Sequence, residues 1–190
     1  MMGNYDDIAT PVSRQPISAS QYGIPMLAAV RDLDSRMTAL DRPVFLRKQG
    51  NTDRAVATMT LDPDLQFVAD IGAVYEVQFH MSAGALSAAG FQTSWTVPAG
   101  TSGSRQCIGP ASGETDATNA AGRFGVHNMT TTVSYGTRNS QTQLFYAIER
   151  SIVGIGGTGG VVGINWGQAT ANATPSRMGG GSYGIVTRVG

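Results

Sequence analysis

The sequence predicts an all-β fold: an antiparallel β-sandwich, jelly-roll-like, preceded by an extended N-terminal arm and one short α-helix. Three observations predict it. Beyond Pro43 apolar residues recur with period two, the spacing of half-buried strands, and no helical period returns between them. Turn-rich stretches at 98–104, 109–122, 136–142, 154–160 and 167–182 punctuate those runs. Charged residues are only 14% of the 190 and glycines number 25, which suits a turn-rich β surface covered by hydroxyls and amides. Without crossover helices a parallel α/β fold is excluded.

Residues 1–24 read as an extended arm. Pro11, Pro16 and Pro25 break helices, and Ser13, Ser18 and Ser20 supply turn chemistry. The arm is too poor in apolar bulk to form a core, yet Tyr5, Ile8, Val12, Ile17, Tyr22 and Ile24 are spread along it. Anchors at such intervals suit a segment that orders on a partner surface, with main-chain hydrogen bonds for affinity and side-chain pockets for specificity. Composition leaves open whether it is disordered or laid against that partner.

Residues 25–41 form the one convincing helix, within a segment, 25–42, expected to oligomerise. Pro25 suits a first helical position, and Pro43 stops the helix near Asp41. Met26, Val30, Leu33, Met37 and Leu40 recur at spacings of 4, 3, 4 and 3, an a/d seam of just over two heptads. Arg31, Asp32, Asp34, Arg36 and Asp41 fall off the seam. One reading packs this face on the chain's own domain. The regular spacing favours the other, a short parallel coiled coil between identical chains.

The β domain, 43–190, opens with Val44–Arg47 and a second run at 55–60. Asp62-Pro63-Asp64 reads as a turn between strands whose carboxylates cap backbone N–H groups. Ala73, Tyr75, Val77, Phe79 and Met81 alternate with Val74, Glu76, Gln78 and His80, which puts His80 on the solvent face. Further strands are expected at 89–97, 129–135, 143–153, 160–166 and 183–189, about eight in all. Trp95 and Trp166 fall in strand contexts that favour burial.

Composition excludes several functions. Thirteen Lys+Arg balance thirteen Asp+Glu, and Arg47-Lys48 is the only basic pair, which disfavours nucleic-acid binding. By position, 17 of the 26 charges fall in the first 80 residues, leaving a nearly neutral body. One cysteine, Cys107, and two histidines, His80 and His127, supply neither a disulfide framework nor a closed zinc site within one chain. Asp62, Asp64 and Asp70 are conceivable calcium ligands, but match no EF-hand spacing. Gly154-Ile155-Gly156-Gly157-Thr158-Gly159 satisfies G-x-G-x-x-G, yet a strand-like run follows where a dinucleotide site needs a helix. A glycine-rich hairpin loop without nucleotide is the expectation.

No G-x-S-x-G elbow is present, Ser104-Arg105-Gln106-Cys107 has no nearby histidine in sequence, and Glu76, Glu114 and Glu149 offer no evident acid/base pair. The sequence therefore predicts no enzyme, no cofactor and no metal. No apolar run approaches a membrane span, and the acidic start Met1–Asp7 has the wrong charge for a leader, so folding in the cytosol of the producing cell is expected.

Val30–Leu40, Arg47-Lys48, Thr60–Leu65, Ala73–Val77, Thr96–Gly100, Gly163–Ala169 and Gly181–Tyr183, in this order, resemble a loose family of small virion proteins from tailed phages of actinobacteria. The resemblance spans roughly residues 30–190 and leaves the arm uncovered. It implies a non-enzymatic virion structural protein, a homotrimeric knob leaning to capsid decoration, with minor tail or tail-fibre-like protein as the alternative. Its partners would be its own copies and the major capsid or tail proteins of the same virion. The arm would supply attachment and the helix assembly. A host-surface glycan is the partner of a competing reading, a carbohydrate-binding module.

Overall fold

The computed structural model describes residues 26–33, 42–115 and 121–190. The chain divides into two units, Met1–Thr38 and Ala39–Gly190. In the first, residues 26–33 are helical. The rest of the expected helix, with Met37 and Leu40, lies outside the described residues, as does the arm with Tyr5, Ile8, Val12, Ile17, Tyr22 and Ile24.

The second unit is an antiparallel β-sandwich. Its strands are β1 (Val44–Arg47), β2 (Thr52–Arg54), β3 (Thr60–Ala69), β4 (Val74–Ala85), β5 (Phe91–Thr96), β6 (Arg105–Pro110), β7 (Gly122–His127), β8 (Val133–Tyr135), β9 (Ser140–Gly154), β10 (Gly160–Gly167), β11 (Ser176–Met178) and β12 (Tyr183–Arg188). The larger sheet runs β1-β12-β4-β9-β6-β7, with β11 and β2 attached beside β4; the smaller runs β3-β10-β5-β8. The pairs β1–β12, β3–β10, β4–β9 and β5–β8 join the first half of the chain to the second in reverse order. That folded-back pairing, split between two sheets, is the winding of a jelly roll, with the β6–β7 hairpin extending one edge.

Alternation builds the core. Along β4 Tyr75, Val77, Phe79, Met81 and Ala83 point inward and are buried, while Glu76, Gln78 and His80 are half-buried on the outer face. They meet Phe91, Trp95, Val162, Ile164 and Trp166 from the smaller sheet in one hydrophobic cluster. Trp95 packs edge-on against Phe79 at 4.9 Å, and Trp166 stacks on Phe91 at 5.5 Å. Both tryptophans are buried, as expected from their strand contexts. Gly84 is required where β4 and β9 slip register, because a Cβ there would lie 2.2 Å from the Gln141 carbonyl oxygen.

Several expectations are corrected. Residues 55–59 carry no strand; β2 ends at Arg54 and β3 starts at Thr60. Asp62-Pro63-Asp64 is no turn between strands, because it lies within β3, where 62–65 bulge opposite Ile164. β3 is a sheet edge, where a bulge accommodates a proline. Residues 154–160 are not a hairpin loop. They carry the chain from β9 in the larger sheet to β10 in the smaller, and β10 pairs with β3 and β5 instead. β6, β7 and β11 occupy stretches read wholly or partly as turns.

Candidate functional site

Two ion clusters tie the sheets together, and neither is evident from motifs. In the first, alternation along β9 (Phe145, Ala147, Glu149, Ser151, Val153) turns Glu149 inward, where it is fully buried. Its Oε2 accepts from Arg105 Nη1 at 2.5 Å and from Trp95 Nε1 at 2.6 Å. Oε1 accepts from the Tyr135 hydroxyl at 2.8 Å and from the Thr93 hydroxyl. Arg105, equally buried, also donates to the carbonyls of Thr93 and Thr131. A carboxylate with four donors, one of them a guanidinium, is compensated for its desolvation. It is enclosed, with no exposed oxygen for a substrate.

In the second, Lys48 is buried just beyond β1 and its Nζ lies 2.9 Å from Asp62 Oδ2 and 3.2 Å from Asp64 Oδ2. Asp62 also accepts from Trp166 Nε1 at 2.8 Å and from the Asp64 and Leu65 amides at 3.0 and 3.3 Å. Arg54 covers the Trp166 ring at 4.0 Å and donates to the carbonyls of Thr60, Leu61 and Trp166. Two of the three aspartates considered as calcium ligands, Asp62 and Asp64, thus flank an ammonium. Asp70 lies apart, paired with Arg188 at 3.0 Å. The capping expected of these carboxylates is present at Asp62, within a strand bulge instead of a turn.

Cys107 is fully buried on β6, and burial, aided by the Glu149 carboxylate, pushes its thiol up to about 11. Burial and then the same carboxylate drive the Tyr135 hydroxyl upward too. Neither suits a nucleophile. The glycine-rich connection at 154–160 leads directly into strand β10 and not into a helix.

Each unit also exposes apolar side chains. In the helix over 26–33, Met26, Val30 and Leu33 are 67%, 59% and 57% exposed, so three seam residues present apolar side chains outward. Leu27, which the seam does not include, is exposed beside them. On the outer face of the larger sheet Tyr183, His80, Ile148, Ile108 and Phe124 stand in register across five strands. His80 stacks on Tyr183 at 4.4 Å and 7° and shares a hydrogen bond with the Tyr146 hydroxyl. Burial there holds its imidazole below the ordinary range. A groove of about 410 Å³ beside this row is lined by residues that include Phe45, Arg47 and Tyr183.

No family model matches the sequence, and no characterised protein matches it. Among solved structures, the tripod (BppUct-A-L) from the baseplate of bacteriophage Tuc2009 aligns over 98% of this chain and 79% of its own, at 10% identity and a TM-score of 0.28. Infectious bursal disease virus of the Gx strain aligns over 79% and 37%, at 10% identity and a TM-score of 0.18. The VP2 subviral particle of infectious bursal disease virus aligns over 79% and 38%, at 12% identity and a TM-score of 0.15.

Proposed function

We propose that the chain is a non-enzymatic structural component of a bacteriophage virion: a homotrimeric knob that decorates the head, joined by its helices and attached through residues 1–24. The observation that carries this reading is the exposed seam of Met26, Val30 and Leu33. An isolated helix of this length is marginal in water, so its apolar stripe needs a partner. Beside it stand a jelly-roll body whose ionisable core is spent on internal pairing, and a sequence order resembling small phage virion proteins. The trimeric state follows from that resemblance.

Attachment through the arm has a physical rationale. Ordering an extended segment costs about 1–2 kcal/mol per residue of backbone entropy, so one arm gains little. Three arms on one assembly act at high effective concentration. Deleting residues 1–24 tests this. The truncated protein should remain folded and trimeric yet fail to bind particles that lack it. Full occupancy by the truncated protein would move attachment to the β body.

A further inference from the structure

Lys48 is the only lysine among the thirteen Lys+Arg, and it is buried. An ammonium can give up a proton and become a nucleophile, whereas a guanidinium stays charged. The Arg105–Glu149 pair is therefore chemically inert, and the Lys48–Asp62 pair is not. Lys48 Nζ lies 3.1 and 2.9 Å from the two carboxylate oxygens of Asp62. A nitrogen so placed stands about 3–3.5 Å from the carbon between them, the separation of a near-attack pair. Both side chains are fully buried, so bulk water reaches neither. Their backbones are fixed as well: the Lys48 amide donates to the Ser182 carbonyl at 3.1 Å, and Asp62 sits in the β3 bulge. Pro63 offers no N–H, and the next two amides, Asp64 and Leu65, close on Asp62 Oδ1 at 3.0 and 3.3 Å. Two backbone donors on one carboxyl oxygen are the arrangement that stabilises a developing oxyanion. Asp64 Oδ2 lies 3.2 Å from the same Nζ, placed to carry a proton from the amine.

We propose that Lys48 and Asp62 condense into an intramolecular isopeptide bond between Nζ and Cγ, with Asp64 as the proton carrier. The ammonium first passes one proton to Asp62 Oδ2, which discharges two buried ions together. The free amine attacks Cγ, and negative charge collects on Oδ1 beside the Asp64 and Leu65 amides. Asp64 takes a second proton from the nitrogen and hands it to the Oδ2 hydroxyl, which leaves as water while Oδ1 re-forms a carbonyl. One C–N bond forms, one C–O bond breaks, Asp64 ends as it began, and no oxidant or cofactor is consumed. Holding both groups in one dry site supplies the effective concentration that condensation in water requires. The product keeps Oδ1 on the same two backbone donors. The bond ties the chain just beyond β1, an edge strand of the larger sheet, to β3, an edge strand of the smaller. β1 has only four residues and is the first strand of its unit, so a covalent tie holds it against a pull from the N-terminal side. Before the bond closes, the three side chains act only as an ion cluster, and stability differences at Lys48 measured then reflect the pair alone.

Intact mass spectrometry of the purified full chain, denatured after folding, reads the outcome. The native chain should be one water molecule lighter than its sequence requires. A tryptic digest locates the loss: cleavage after Arg47, Arg54 and Arg105 should release residues 48–54 joined to residues 55–105, with no cut after Lys48. Lys48→Arg should keep its full mass. Asp64→Asn, checked for folding by circular dichroism, should lose water roughly 100-fold more slowly, the low end of what a positioned acid/base group contributes. A folded native chain that keeps its full mass after prolonged incubation overturns the proposal. So does a missing water that fragmentation places at any residues other than Lys48 and Asp62. Closure of Asp64→Asn at the native rate supports the bond and overturns the role given to Asp64.

Discussion

Trp95 and Glu149 come from opposite sheets, β5 and β9, and the indole nitrogen donates to the carboxylate over 2.6 Å. The Trp166–Asp62 bond repeats this chemistry between β10 and β3, with Lys48 where Arg105 stands in the first cluster. The interior is thus pinned at two places by a carboxylate shared between a tryptophan and a cation.

Removing Glu149 should be severe. Glu149→Leu leaves the Arg105 guanidinium buried without its counter-charge, a loss of about 3–5 kcal/mol. Adding Arg105→Met should restore only part of it, because Trp95, Tyr135 and Thr93 still lack their acceptor. Urea unfolding of the two variants checks the order. A double variant as stable as the native chain would mean that those three donors contribute nothing.

Lys48→Met should cost less than Glu149→Leu. Asp62 keeps Trp166 Nε1 and two backbone amides when the ammonium goes, so a loss of about 2–3 kcal/mol is expected, below the full range for a broken buried pair. Lys48→Arg should not restore stability, because a planar fork does not fit a fully buried site shaped for a point charge. Thermal unfolding of both variants decides it.

The Cys107 thiol should be silent toward a disulfide reagent at pH 8. It is buried and its ionisation is pushed to about 11, so native protein should react only as fast as it opens. A stoichiometric burst on mixing would contradict the buried placement.

His80 should titrate below the ordinary value of about 6.5, as its burial beside Tyr183 and Tyr146 disfavours the imidazolium. With the folded midpoint depressed, the unfolded chain binds the proton first. The histidine's contribution is therefore present above pH 6.5 and is lost as pH falls toward the folded midpoint. Ring-proton NMR gives the midpoint directly, and His80→Gln should flatten the matching slope of stability against pH. A midpoint at or above 6.5 contradicts the geometry.

Much of the fold was legible because sandwich strands carry period-two alternation, which β4 and β10 show most plainly. β6 and β7 were hidden for two physical reasons. Glycines at 109, 122 and 125 and Pro110 look like loop punctuation, and the outward side chains Ile108, Phe124 and Val126 erase the polar half of the alternation. Glu149 was readable in principle, as the odd member of the Phe145-Ala147-Glu149-Ser151-Val153 series. Its partners, 14 to 56 residues away, were not. The Asp62 bulge escaped notice because Asp-Pro-Asp is turn chemistry, and only pairing with β10 makes it strand.

A virion component must be present on purified particles of the phage that encodes it. Particles from the producing phage, labelled with gold against the β body and viewed by electron microscopy, should carry label in multiples of three on the head surface. Label confined to the tail would keep the virion assignment and move the knob to a minor tail position. Particles that carry neither label nor peptides of this chain by mass spectrometry would rule out a virion role.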